Sequence, residues 1–153
     1  RRTMLPILER FKQSIESKAI DNFWLSRTKN QLRKRPETIA QGLLTVFIDG
    51  TLGNNGIVLR ECASGVGYID IGVIFSRALH LVELKVLTNH FTGADQLEQY
   101  MKNENHRNGY LVIIDSLPHN KKITIPKNIK LKTGSIKVIR VDINPVPPSK
   151  ISP

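Results

Sequence analysis

The stretch 79–87, Leu-His-Leu-Val-Glu-Leu-Lys-Val-Leu, constrains the fold more than any other part of this chain. It reads as a buried β-strand, yet it carries Glu83 and Lys85. Side chains alternate along a strand, so Glu83 and Lys85 share one face with Leu81 and Leu87. Burying such charges costs on the order of several kcal/mol each unless they are paired or bound to a metal. A second apolar run, 68–75, holds Asp70, and neighbouring strands would bring the two carboxylates together beside an ammonium. Two carboxylates able to share a hard cation suit the activation of water against a phosphodiester.

Around these runs the elements can be laid out. From Met4 to about Arg35 the spacing of Leu8, Phe11, Ile15 and Ala19 predicts helix, as one long element or as two with Asp21 as a cap. Trp24, on that helix, is expected in the core rather than stacked on a base. Pro36 fits the first turn of a helix running from Glu37 to about Ile48, which ends in a turn-rich break at Asp49-Gly50 and Gly53–Gly56. Short strands follow over 57–62, 68–75 and 79–87, with links short enough for hairpins. Thr92 is positioned to cap a helix that extends to about Asn105, with Gln96 and Tyr100 one turn apart. Strands at 110–115 and 136–143 complete the pattern, separated by a Lys-rich loop and followed by a proline-rich tail over 145–153. The glycines at 50, 53 and 56 lack the spacing of a phosphate loop.

Asp70, twelve intervening residues, Glu83-Leu84-Lys85 and then Gln96-xxx-Tyr100 resemble the signature of the PD-(D/E)xK nuclease superfamily and the glutamine–tyrosine motif of several of its branches. Ile69 stands where the signature proline would be. The likeness covers roughly 36–115 and is sharpest from 65 to 100. It implies an α/β, restriction-endonuclease-like αβββαβ core, over 36–143, whose mixed sheet is flanked by helices. A basic helical extension (1–35) would precede it and a tail or linker (144–153) would follow. It implies Mg2+ or Mn2+ held by Asp70, Glu83 and the backbone carbonyl of Leu84, with Lys85 orienting water or stabilising charge. A third carboxylate is expected, for which Glu37 and Glu61 both stand open. Gln96 would reach a phosphate or the attacking water, supported by Tyr100.

Charge is segregated along the chain, whose formal net charge is +10. Residues 1–36 carry ten Lys/Arg against three acids, 37–115 five against nine, and 116–153 eight against one. Basic flanks around an acidic centre suit a polyanion held near a cation-loaded site. Arg33, Lys34 and Arg35, with Lys121 and Lys122, are the candidate phosphate contacts. One cysteine, Cys62, excludes an internal disulfide framework, fits a reducing compartment and is expected to be buried and unreactive. No His/Cys spacing indicates zinc, and no apolar run is long enough to span a membrane.

The expectation is therefore a cytoplasmic, metal-dependent DNA endonuclease of prokaryotic, phage or mobile-element origin. Its substrate would be double-stranded or branched DNA. Its start at Arg1-Arg2 and its proline-rich end suggest a module of a larger DNA-processing or defence protein, beside an NTPase or sensor domain, with homodimerisation as a further expectation. The alternative is a non-catalytic nucleic-acid-binding module with an inactivated nuclease fold. A basic domain that binds acidic proteins or membrane surfaces is a weaker third.

Overall fold

The computed structural model describes residues 3–64, 67–89, 91 and 94–146, and leaves aside the side chains at 62–64 and 67–68. The expectations for Thr92 as a cap, the Cys62 side chain and the tail beyond 146 therefore lie outside the described residues. Helix α1 (Leu5–Lys18) buries Leu8, Phe11 and Ile15 on one stripe, as their spacing predicts. The helix stops there. A 3-10 turn (Ile20–Phe23) that contains Asp21 leads into an antiparallel hairpin of β1 (Trp24–Ser26) and β2 (Gln31–Leu32), where helix was expected. Local hydrogen bonds explain the departure. Lys29 N–H donates to Ser26 Oγ, Asn30 N–H donates to the Arg27 carbonyl, and Asn30 takes the left-handed conformation that Asn tolerates. Trp24 is buried, and its indole N–H donates to the Ile143 carbonyl at 2.9 Å, a bond that pins the hairpin to the body.

Helix α2 (Pro36–Leu52) starts with Pro36 in its first turn and runs past the expected break. It continues because Ile48 and Leu52 both bury while Gly50 faces open space, and it ends at Gly53, whose φ of 54° suits glycine. Strands β3 (Gly56–Ser64), β4 (Gly67–Phe75) and β5 (Ala78–Leu87) then form an antiparallel meander. The β4–β5 link is a two-residue turn with Ser76 and Arg77 both at positive φ. Helix α3 (Asp95–Asn103) precedes β6 (Asn108–Asp115), β7 (Asn128–Leu131) and β8 (Gly134–Asp142).

The six strands form one mixed sheet in the order β3-β4-β5-β6-β8-β7, with β5, β6 and β8 parallel. The helix–three strands–helix–strand order expected from the sequence is present from α2 to β6. Strand β7 was not anticipated; it lies in the Lys-rich stretch and pairs only at the sheet edge. One face packs under α1 and α2, the other under α3. Met4, Leu8, Phe11, Ile15, Phe23 and Trp24 share one core with Ala40, Leu44 and Ile48. No helix among the described residues is long and apolar enough to cross a membrane.

The parallel strands end at Asp115, which is fully buried. Its Oδ2 accepts from Arg140 at 2.5 Å and lies 3.1 Å from Lys122 Nζ, while Oδ1 accepts from Leu117 N–H at 2.9 Å. Removing one member of a buried ion network strands the others. Asp115→Ala is expected to cost about 3–5 kcal/mol. Thermal unfolding would register this as a fall in Tm of roughly 10 °C, whereas an unchanged Tm would mean that the network contributes nothing.

Candidate active site

The site lies where β4 leaves β5. Their ladder runs from Phe75 opposite Ala78 to Ile71 opposite Val82, and the next pair in register would be Asp70 and Glu83. That pair is not made. Strand β5 continues along β6, and the Asp70 carboxylate takes the place of a ladder acceptor, its Oδ2 receiving the Leu84 N–H at 2.8 Å. On the other side of β4, the β3 pairing skips Glu61 and Asp70, and Glu61 sits at φ 53°. Strand β4 turns over at this point: Ile71 packs into the α1/α2 core, while Ile69, two residues away, packs into the α3 core. A strand that peels away at a carboxylate leaves that carboxylate beside the neighbour's side chain instead of behind it.

Glu83 is 4% exposed, between Leu81 and Leu87 on the α3 face of β5, with Lys85 half-buried beside it. Burial first, and then the hydrogen bond and charge of Asp70, push its carboxyl up to about 9; Lys85 opposes the rise and Glu37 adds to it. Three groups from three elements thus act on Glu83. Glu83 Oε2 is buried without a hydrogen-bond partner. A carboxyl placed this way holds a proton at neutral pH in the absence of a cation, and the buried lone pair is a free ligand position.

The donors fit a hard divalent ion: the carboxylates of Asp70 and Glu83 act on one another, and Asp70 is held by the N–H of Leu84, the residue after Glu83. Among the described residues no three His, Cys, Asp or Glu side chains cluster closely enough to enclose an ion. An open pair suits magnesium, which keeps several waters and takes one or two carboxylates, better than it suits a caged structural ion.

The remaining candidates divide by position. Glu37 is exposed in the first turn of α2, and its charge reaches Glu83. Glu61 is exposed on β3, at the position where the β3–β4 pairing skips. Gln96 is exposed in the first turn of α3, which covers the face bearing Glu83 and Lys85, whereas Tyr100 is buried and stacks on His106. Arg33, Lys34 and Arg35 are exposed and lead directly into α2, so they border the Glu37 end of the site. Lys121 is exposed, but Lys122 is taken up by Asp115 and Asp142 and serves the fold. His80 lies on the opposite face of β5 and stacks against Phe75.

Sequence reasoning missed Gln41. It is buried on α2 one turn after Glu37; its amide N–H donates to the Asp70 carbonyl at 3.1 Å, and its Oε1 accepts from Arg60 at 2.6 Å. A glutamine in the i+4 position from an acidic helix start, on an otherwise apolar stripe, was the available signal.

Residues 1–117 match the family model of a domain of unknown function, DUF8371. The chain belongs to this family. The DUF8371 match runs from the N-terminal residues through the end of β6, so it takes in α1 together with every strand and helix that carries the site. Among curated proteins none matches the chain.

Proposed function

We propose that this DUF8371 domain is a metal-dependent nuclease of the PD-(D/E)xK type that hydrolyses DNA phosphodiester bonds, its α2–β6 segment forming a restriction-endonuclease-like core. One observation carries the reading: Glu83, buried with an unpartnered oxygen, shares its surroundings with Asp70, Lys85 and Glu37 at the point where β4 and β5 part. An ion pair that merely packs the sheet would join Glu83 to Lys85, and among the described residues the ion pairs lie elsewhere.

In this reading Asp70, Glu83 and the Leu84 carbonyl hold Mg2+ or Mn2+. When bound, the ion supplies charge neutralisation at the phosphate and a more acidic water. The Leu84 N–H fixes the orientation of Asp70, which would hold the ion together with Glu83. Lys85 orients the attacking water or stabilises the charge that develops on the phosphate. Glu37, in the first turn of α2, adds a carboxylate at the solvent edge, and Arg33, Lys34 and Arg35 neutralise neighbouring phosphates. Gln96, exposed on α3, would touch the substrate, with Tyr100 serving as its support in the core.

A second reading, a DNA-binding module that does not load its metal, is favoured by the lack of a three-ligand cluster among the described residues. Incubation with supercoiled and linear DNA in magnesium, manganese or chelator separates the two. Metal-dependent cleavage that is lost in Asp70→Asn is expected; Asn keeps an acceptor for the Leu84 N–H while removing the charge. Binding without cleavage under every metal would select the second reading.

A further inference from the structure

The Gln41 bridge sets one guanidinium beside the carboxylates. Arg60 lies on β3 opposite Ile71, its side chain on the α2 side of the sheet, and it is exposed. Buried Gln41 accepts one of its N–H groups at 2.6 Å and in turn donates to the carbonyl of Asp70 at 3.1 Å. Arg60 is thus tied to the backbone of Asp70 through two hydrogen bonds and one amide group, and Gln41 uses only one of the five donors a guanidinium offers. Gln41 itself is fixed on α2 one turn from Glu37, so the guanidinium is held on the same side of the site as that carboxylate.

The charge balance gives this placement a use. Without a cation, a phosphodiester that approaches the site meets the carboxylates of Asp70 and Glu37 beside the protonated carboxyl of Glu83, with the ammonium of Lys85 next to them. A second cation at a fixed distance from Asp70 would offset that repulsion and fix where the backbone lies. A free surface arginine needs no buried glutamine behind it. A buried amide that satisfies both of its ends, one on the strand bearing Asp70 and one on the guanidinium, preorganises the donor fork.

We propose that Arg60 is a phosphate-binding residue for a duplex DNA backbone at this site, and that Gln41 is the positioning residue that aims it. The proposal rests on the nuclease reading for its substrate class, but binding tests it without cleavage. Anisotropy of a short labelled duplex, measured in chelator at several salt concentrations with the full chain, is the experiment. Arg60→Ala is expected to weaken binding about tenfold at low salt and to lower the salt slope by about 0.9, the loss of one neutralised phosphate. Arg10→Ala, which removes an exposed cation on α1, serves as the control and is expected to leave affinity nearly unchanged. Gln41→Leu should weaken binding in the parent chain but add nothing in the Arg60→Ala background, a dependence that general damage to α2 would not produce. Unchanged affinity and slope in Arg60→Ala, a loss in Arg10→Ala as large as that in Arg60→Ala, or no duplex binding by the parent chain would each overturn it. Arg60-dependent binding by a parent chain that never cleaves would leave the proposal standing and remove the nuclease reading.

Discussion

Glu83→Gln is expected to abolish metal-dependent cleavage and, in chelator, to make the fold more stable. Burial and the neighbouring Asp70 raise the Glu83 carboxyl from an ordinary 4.5 to about 9. The folded chain therefore retains a proton that the unfolded chain releases near its ordinary value. Between about pH 4.5 and 9 the unfolded state binds fewer protons, so stability falls as pH rises through this window. Each unit of separation is worth about 1.4 kcal/mol, so the total is on the order of several kcal/mol. Gln cannot ionise, and its amide can still donate to Asp70; the substitution removes this loss. Thermal unfolding in chelator should show a parent Tm that drops between pH 5 and pH 8.5 and a variant Tm that drops much less. At pH 8.5 the gap should be at least about 5 °C, since each kcal/mol is worth roughly 2–4 °C in a chain of this size. Adding magnesium or manganese should raise the Tm of the parent and leave the variant where it was. A variant that still cleaves, or whose Tm follows pH as the parent's does, would remove Glu83 from the site.

Lys85→Ala is expected to lower the cleavage rate by about 10²–10³ while duplex affinity stays within about twofold. Lys85 is half-buried on the face of Glu83, and its charge is the one favourable influence on that carboxylate. A phosphate-binding lysine on the surface would change affinity and salt slope; a lysine that acts on the reacting water changes rate alone. The same substitution removes the charge opposing the rise of Glu83, so the loss of stability with rising pH should extend further upward in the variant. Lys85→Arg should not restore the rate, because a planar fork on a longer stem does not replace a compact ammonium in a half-buried position. Full cleavage by Lys85→Ala would mean that the chemistry lies elsewhere on the molecule.

Much of the fold was legible because its signals are local. The strands at β4, β5 and β6 fall within a residue or two of their apolar runs, and α1 follows the spacing of Leu8, Phe11 and Ile15. The segment after Lys18 was misread because Phe23, Trp24 and Leu32 happen to continue a helical spacing, while side-chain and turn bonds at Ser26 and Asn30 fold it back. Asp49-Gly50 looked like a break, but burial of Ile48 and Leu52 carries α2 through it. Strand β7 is short, polar and half-exposed, and its pairing with β8 has no local signal.

The sequence alone determined that Glu83 and Lys85 lie on one buried strand face, because alternation is a property of the extended backbone and needs no partner. It also set Asp70 in a second apolar run joined to the first by a link short enough for a hairpin, and the β4–β5 pairing of the structure made the two neighbours. Only the tertiary structure decided that β4 parts from β5 at Asp70, that the charge of Glu37 reaches Glu83, and that Lys122 is spent on Asp115. It alone placed Gln41 between Asp70 and Arg60. These relations depend on strand register and on the docking of α2, which join residues far apart in the chain, and periodicity along the sequence carries no information about them.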